Sequence, residues 1–213
     1  MSQLVSSDIL AAIRDTVDRC SNTGERYQLE FSALVANLKK VVRVHVENDY
    51  EYEALVRFAI LSKFSIAHSP TRMKVAWTNN LGDTFLTAVP WDDPEGTSYA
   101  AYLAKHQHDA DQAAMVESEG TAEEIGQLLG YPSCCCIAYQ RLEEGEYWAP
   151  VLAEHSPDAH HAPWANRYAY LLYGASLFPD YFPCSLDCKG TEVLSKSFYR
   201  MALSTDLRET AEL

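Results

Sequence analysis

The chain has 213 residues, is 47% hydrophobic and 11% aromatic, and carries a formal net charge of −13. That composition excludes a disordered chain and suffices for one substantial core or two small lobes sharing an interface. The acidic excess is spread over both halves, −6 for residues 1–120 and −7 for residues 121–213, so the surface repels phosphate backbones and no nucleic acid partner is expected.

No apolar run approaches the ~20 residues of a membrane span. The first stretch, "MSQLVSSDILAAIRDTVDRC", lacks the basic flank and apolar block of a signal peptide. A cytoplasmic protein with no membrane partner is expected. In the cytosol thiols are kept reduced, which disfavours a disulfide framework and directs clustered cysteines to metal or thiol chemistry.

Residues 7–20 fit an amphipathic helix, with Ile9, Ile13 and Val17 at helical spacing. "VVRVHVE" (41–47) alternates: Val42, Val44 and Val46 share one face of a half-buried strand, Arg43 and His45 the other. "DYEYEALVRFAILSKF" predicts a strong helix capped by Asn48 or Asp49. "FSIAHS", "MKVAWTN" and "TFLTAVP" read as a small antiparallel meander. Residues 97–117 are Ala-rich and predict a helix. "TAEEIGQLLG" opens with a capping box, Thr121 with Glu124, and closes on Gly130. Pro132 suits the first turn of the next helix, which is predicted to run to about Glu144. A Pro- and His-rich loop follows, then a helix over about 163–177. A last helix is predicted from Pro183 toward residue 204. The expected architecture is α+β: a mixed lobe over 1–95 with a small, mostly antiparallel sheet, and a helical, cysteine-rich lobe over 96–213.

Five of the six cysteines fall in two proline-led stretches, "YPSCCCIAYQ" (131–140) and "FPCSLDCKG" (182–190); Cys20 stands apart. In a first helical turn, free N–H groups and the dipole lower a thiol pKa, and Cys134, Cys135 and Cys136 follow Pro132 directly. Cys184 and Cys188 are i and i+4, on one face if that last helix starts at Pro183. Two such helix starts facing each other would bring four thiolates into one pocket. Four thiolates suit an iron-sulfur cluster, whose sulfides accept N–H donors. Zinc also accepts four, although structural zinc pairs usually separate their cysteines by two to four residues. Copper(I) suits soft thiolates, and a metal-free reactive dithiol is a further reading. The plainest alternative is a group of packed core thiols, since free cysteine is often buried.

The pattern "LGYPSCC" followed by "FPCSLDCKG" resembles a prokaryotic family of uncharacterised domains, the DUF483 type, over about residues 120–203. The resemblance implies Gly130, Tyr131, Pro132, Cys134, Cys135, Pro183, Cys184 and Cys188 as the matched positions, leaves Cys136 outside the pattern, and brings no assigned reaction.

Other residues are weaker candidates. His106 and His108 diverge by about 200° on a helix and make no natural chelate there. The "HSPDAHHAP" loop offers His155, His160 and His161 as a ligand or proton shuttle, though a surface loop is the simpler reading. "WANRYAYLLYG" puts Asn166, Tyr170 and Tyr173 on one helical face, with Arg167 beside them. Arg167 suits a carboxylate, and Asp187, inside the cysteine pair, suits acid–base work. There is no G-x-G-x-x-G, P-loop, G-x-S-x-G or H-E-x-x-H. The expectation is a metalloenzyme, an oxidoreductase or lyase. Cys134, Cys135, Cys184 and Cys188 would hold a four-iron (4Fe-4S) iron-sulfur cluster that acts on a small polar substrate, with Asp187, Arg167 and Tyr170 as catalytic candidates. A metal-free thiol enzyme and a zinc- or copper-binding interaction module are the alternatives. Oligomeric state is not legible.

Overall fold

The computed structural model describes residues 11–16, 24–78, 84–141, 181, 183–185 and 187–204. In chain order these form α1 (11–16), α2 (Gly24–Val35), β1 (Val41–Val46), α3 (Asp49–Ser62), β2 (Ser65–His68), β3 (Arg72–Thr78), β4 (Thr84–Val89), β5 (Tyr99–Ala104), α4 (Gln107–Glu119), α5 (Ala122–Leu128), α6 (Ser133–Gln140) and α7 (Lys189–Ser204). The fold is α+β, as expected. Among the described residues no helix is long and apolar enough to cross a membrane.

The Ala-rich stretch expected to be one helix over 97–117 is two elements. Its first part, "YAAYLA", is β5, the central strand of a three-stranded sheet of order β1-β5-β2, antiparallel to both neighbours. All six residues of β5 are buried. A strand covered on both faces reads as a continuous apolar run, and periodicity does not separate it from a buried helix. Alanine favours helix in isolation, but here small side chains let helices close over both faces. β5 lies beyond the 95/96 boundary expected from sequence, and it belongs to the sheet that β1 begins.

The two faces of β5 define two cores. Tyr99, Ala101 and Leu103 join Val42, Val44 and Val46 of β1 against Tyr27, Phe31, Leu55 and Phe58 of α2 and α3. On the other face Ala100, Tyr102 and Ala104 meet Ala110, Ala113 and Ala114 of α4, with Leu129 behind α5. The alternation of β1 is as expected, and it turns Arg43 toward Glu117 on α4, with Nη1 3.1 Å from Oε1. Tyr102 donates its hydroxyl to the same carboxylate at 2.6 Å. Its pKa is raised, chiefly by burial and then by the Glu117 charge, so it stays a donor across physiological pH.

The expected meander divides. β3 and β4 form a two-stranded ribbon, while β2 pairs with β5. Ser69 makes the break: its amide donates to Ala100 O at 2.8 Å and its Oγ accepts from Thr71 N at 3.2 Å, which turns the chain out of the first sheet. A bridge between Met73 and Ser98 ties the ribbon back. Asn48 caps α3 as expected, accepting from Glu51 N at 3.0 Å. Phe198 and Met201 of α7 pack on Leu29 and Ala33 of α2, which anchors the C-terminal helix to the first layer.

Leu103 has no exposure at all, whereas Met115 on α4 is 54% exposed. Leu103→Ala is expected to cost about 2–5 kcal/mol by denaturant unfolding and Met115→Ala within about 0.5 kcal/mol. Similar losses at both positions would contradict the burial of Leu103 at the centre of the sheet.

Candidate metal centre

The first half of the site is built by a helix stop followed at once by a helix start. Thr121 and Glu124 form the expected capping box at α5: Thr121 Oγ1 accepts from Glu124 N at 3.2 Å, and Thr121 N donates to Glu124 Oε2 at 2.8 Å. Gly130 takes φ +80°, which a side chain would strain, and reverses the chain. Pro132 sits at the N-cap of α6 with φ −59°, where its missing N–H costs nothing. Cys134 and Cys135 then fall in the first turn, and Cys135 N donates to Pro132 O at 2.8 Å.

The second half departs from expectation. The last helix begins at Lys189, not Pro183, so Cys184 and Cys188 do not share a helical face. They lie on the turn that precedes α7, where Cys188 N donates to Ser185 O at 3.2 Å. Cys188 takes the N-cap place: its carbonyl accepts from Glu192 N at 2.9 Å and its Sγ from Thr191 N at 3.5 Å. A sulfur in the role usually filled by serine or aspartate opens the helix six residues later than the proline suggested.

The two halves meet tightly. Cys188 Sγ lies 3.6 Å from Cys134 Sγ and 3.5 Å from Cys135 Sγ, and Cys134 and Cys135 are 3.9 Å apart. With Cys184 included, all four sulfurs lie within 4.8 Å of one another, a group that can hold a metal ion. Cys184 N donates to Cys135 Sγ at 3.4 Å. All four are free thiols, with no disulfide between them. The close packing of the halves requires Gly190: a Cβ there would stand 2.7 Å from Pro132 Cβ.

The thiols do not share charge equally. Cys188 is held down to about 4, first by the hydrogen bond from Cys135 and further by the Thr191 hydroxyl and amide, against the opposing effect of burial. Cys135 is raised, first by that same bond to Cys188 and then by burial. Burial, followed by the bond to Cys188, pushes Cys184 up to about 12. These directions favour the first negative charge at the α7 N-cap, where the helix dipole stabilises it.

Two residues not singled out in the sequence complete the wall. Tyr181 donates its hydroxyl to Thr191 Oγ1 at 2.9 Å and stacks on Tyr131 with ring centroids 4.7 Å apart. Thr191 Oγ1 also lies 3.5 Å from Cys135 Sγ. The only sequence signal for Thr191 is its place three residues after a cysteine that opens a helix. Cys136 points away from the four, with its Sγ directed to Tyr131 O at 3.8 Å and packed against Gly126, where a Cβ would come within 2.6 Å of it. Asp187 is exposed on the turn, and His106 and His108 are exposed at the start of α4. Arg167, Tyr170 and the histidines at 155, 160 and 161 lie outside the described residues, as does Cys20.

Comparisons of the chain with protein-family models, curated proteins and solved structures find no match.

Two expectations follow from this geometry. Gly190→Ala wedges α7 from α6 and is expected to weaken metal binding about tenfold or more, while Met115→Ala, exposed on α4, leaves it unchanged; competition with a chromophoric chelator reads both. At neutral pH Cys188 already holds its charge, while Cys135 and Cys184 must each lose a proton to bind a metal. Binding is therefore expected to release at least two protons and to strengthen as pH rises above about 4, where Cys188 is charged, toward about 12, where Cys184 loses its proton. Calorimetry in buffers of different ionisation enthalpy measures the number, and a value near zero would contradict the assigned protonation.

Proposed function

We propose that this is a metal-binding protein in which Cys134, Cys135, Cys184 and Cys188 hold one tetrahedral ion, zinc. The observation that carries this reading is the mutual closeness of all four sulfurs. Four thiolates about 2.3 Å from one zinc stand about 3.8 Å from each other; the separations among Cys134, Cys135 and Cys188 run from 3.5 to 3.9 Å, and all four sulfurs lie within 4.8 Å. A site filled by four protein ligands has no open coordination position, which is the pattern of a structural zinc. Its role would be to staple the start of α6, the turn before α7 and α7 itself. A reducing setting, which is part of the same proposal, would keep the thiols available. Membership of the DUF483-type family, through its Gly-Tyr-Pro-x-Cys-Cys and Pro-Cys-x-x-x-Cys patterns, is part of the same proposal.

The iron-sulfur reading, with enzymatic action on a small polar substrate, is favoured by one feature. Amide donors reach Cys135 Sγ and Cys188 Sγ, as cluster thiolates favour. A four-iron cluster places each thiolate on a different iron, so the sulfurs must stand farther apart than around one ion. That would require α6 and α7 to separate at the site.

Metal and sulfide analysis of anaerobically purified protein separates the readings. About one zinc per chain in colourless protein is the expected result. Brown protein with iron and matching sulfide would replace zinc with a cluster. Metal-free protein would leave only the thiol reading. Changing Cys134, Cys135, Cys184 or Cys188 singly to Ser is expected to abolish stoichiometric metal, whereas Cys136→Ser retains it. Loss of metal with Cys136→Ser alone would overturn the ligand set.

A further inference from the structure

The four clustered thiols differ in their access to solvent. Cys134 is exposed, Cys184 is half-buried, and Cys135 and Cys188 are buried. The exposed sulfur also stands against the start of α7. Cys134 Sγ lies 3.6 Å from Cys188 Sγ, and a Cβ on Gly190 would come within 3.6 Å of it. A small oxidant in solvent therefore meets Cys134 first, with a second sulfur already in contact behind it. Stapling two helix starts together makes no use of this uneven access.

Three sulfurs are near enough to resolve an oxidised Cys134. Cys135 is disfavoured by the chain itself: neighbouring Cα atoms stand about 3.8 Å apart, short of the about 4.4–6.8 Å that a disulfide spans. Its sulfur is also the farther of the two measured from Cys134, at 3.9 Å. Cys184 lies within the same 4.8 Å group. Cys188 is in contact at 3.6 Å, and a bond of about 2.05 Å needs an approach of only about 1.5 Å more. The geometry therefore pairs the exposed sulfur at the start of α6 with the buried one that caps α7.

We propose that Cys134 is an oxidative modification site, at which hydrogen peroxide drives a Cys134–Cys188 disulfide and expels the metal. The Cys134 thiolate attacks one peroxide oxygen, the O–O bond breaks, hydroxide leaves, and Cys134 becomes a sulfenic acid. The Cys188 thiolate then attacks the Cys134 sulfur, the S–O bond breaks, and a second hydroxide leaves. The two thiolates together give up two electrons, and the peroxide takes them. Cys135 and Cys184 remain, half of the set that a closed zinc site needs, so the ion dissociates. The disulfide then takes over the tie between α6 and the turn before α7. The metal release rests on the proposed zinc; the disulfide does not.

The purified full chain is treated with graded hydrogen peroxide. Zinc release is followed with a chromophoric chelator, remaining thiols are counted, and disulfides are mapped by peptide mass spectrometry. Loss of about two thiols per zinc released is expected, with Cys134 and Cys188 in one cross-linked peptide pair. Dithiothreitol is expected to restore both the thiols and zinc binding. Cys136→Ser is expected to change neither the rate nor the pairing. Cys134→Ser, compared with wild type when both are metal-free, is expected to slow peroxide-driven thiol loss about tenfold or more, since the accessible sulfur is gone. Zinc-loaded protein that keeps its metal and thiols, or oxidation that yields another pairing or none, overturns the inference and leaves the zinc reading standing. The Cys134–Cys188 disulfide in protein that carries no zinc upholds the modification site and sinks the zinc reading instead.

Discussion

Four thiol sulfurs crowded within 4.8 Å of one another set the constraint on which the C-terminal half depends. Thiols are weak hydrogen-bond donors and weaker acceptors, so their mutual contact supplies little of what would hold two chain segments together. As thiolates they repel. What makes the arrangement tolerable is the backbone around it: two helices start there, each with a positive dipole end. α7 contributes through Cys188 itself, whose sulfur takes the amide of Thr191. The local charge and its compensation are thus built from the same few residues, and the proposed divalent ion would supply what remains.

The site is also wired to the sheet. Tyr131 follows Gly130, stacks on Tyr181, and carries Lys39 Nζ over its ring at 5.2 Å. Lys39 is buried and bonded to Glu30 on α2, just ahead of β1. Truncating either member of such a pair strands a buried charge, so the Lys39–Glu30–Tyr131 contact fixes the first layer against the cysteine site. α7 makes a second tie, through Phe198 and Met201 on α2. The cysteine-bearing segments are therefore clamped between elements that belong to the N-terminal core.

Much of this was legible in the sequence where local chemistry decides conformation. The Thr121–Glu124 box, the left-handed Gly130 and the helix start at Pro132 are set by residues within one turn of each other. So is the alternation that turns Arg43 away from Val42 and Val44. The choice of Cys134 and Cys135 over Cys136 rested on a family pattern, and the structure supplies a physical ground for it: Cys136 is directed to Tyr131 O and packed against Gly126. Sequence reasoning failed where tertiary context overrides propensity. "YAAYLA" is a strand because helices cover both its faces, a fact that no window of six residues contains. The last helix starts after Cys188 because a sulfur caps it, and cysteine is not among the residues that announce an N-cap. The partnership of Arg43 with Glu117 joins β1 to α4 across 74 positions and has no local signature.

The most direct test of the account is X-ray absorption at the metal edge of the protein as purified. A single shell of four sulfurs at about 2.3 Å, with no metal–metal scattering, is predicted for one zinc held by Cys134, Cys135, Cys184 and Cys188. A metal–metal shell, or nitrogen and oxygen ligands in place of sulfur, would contradict it.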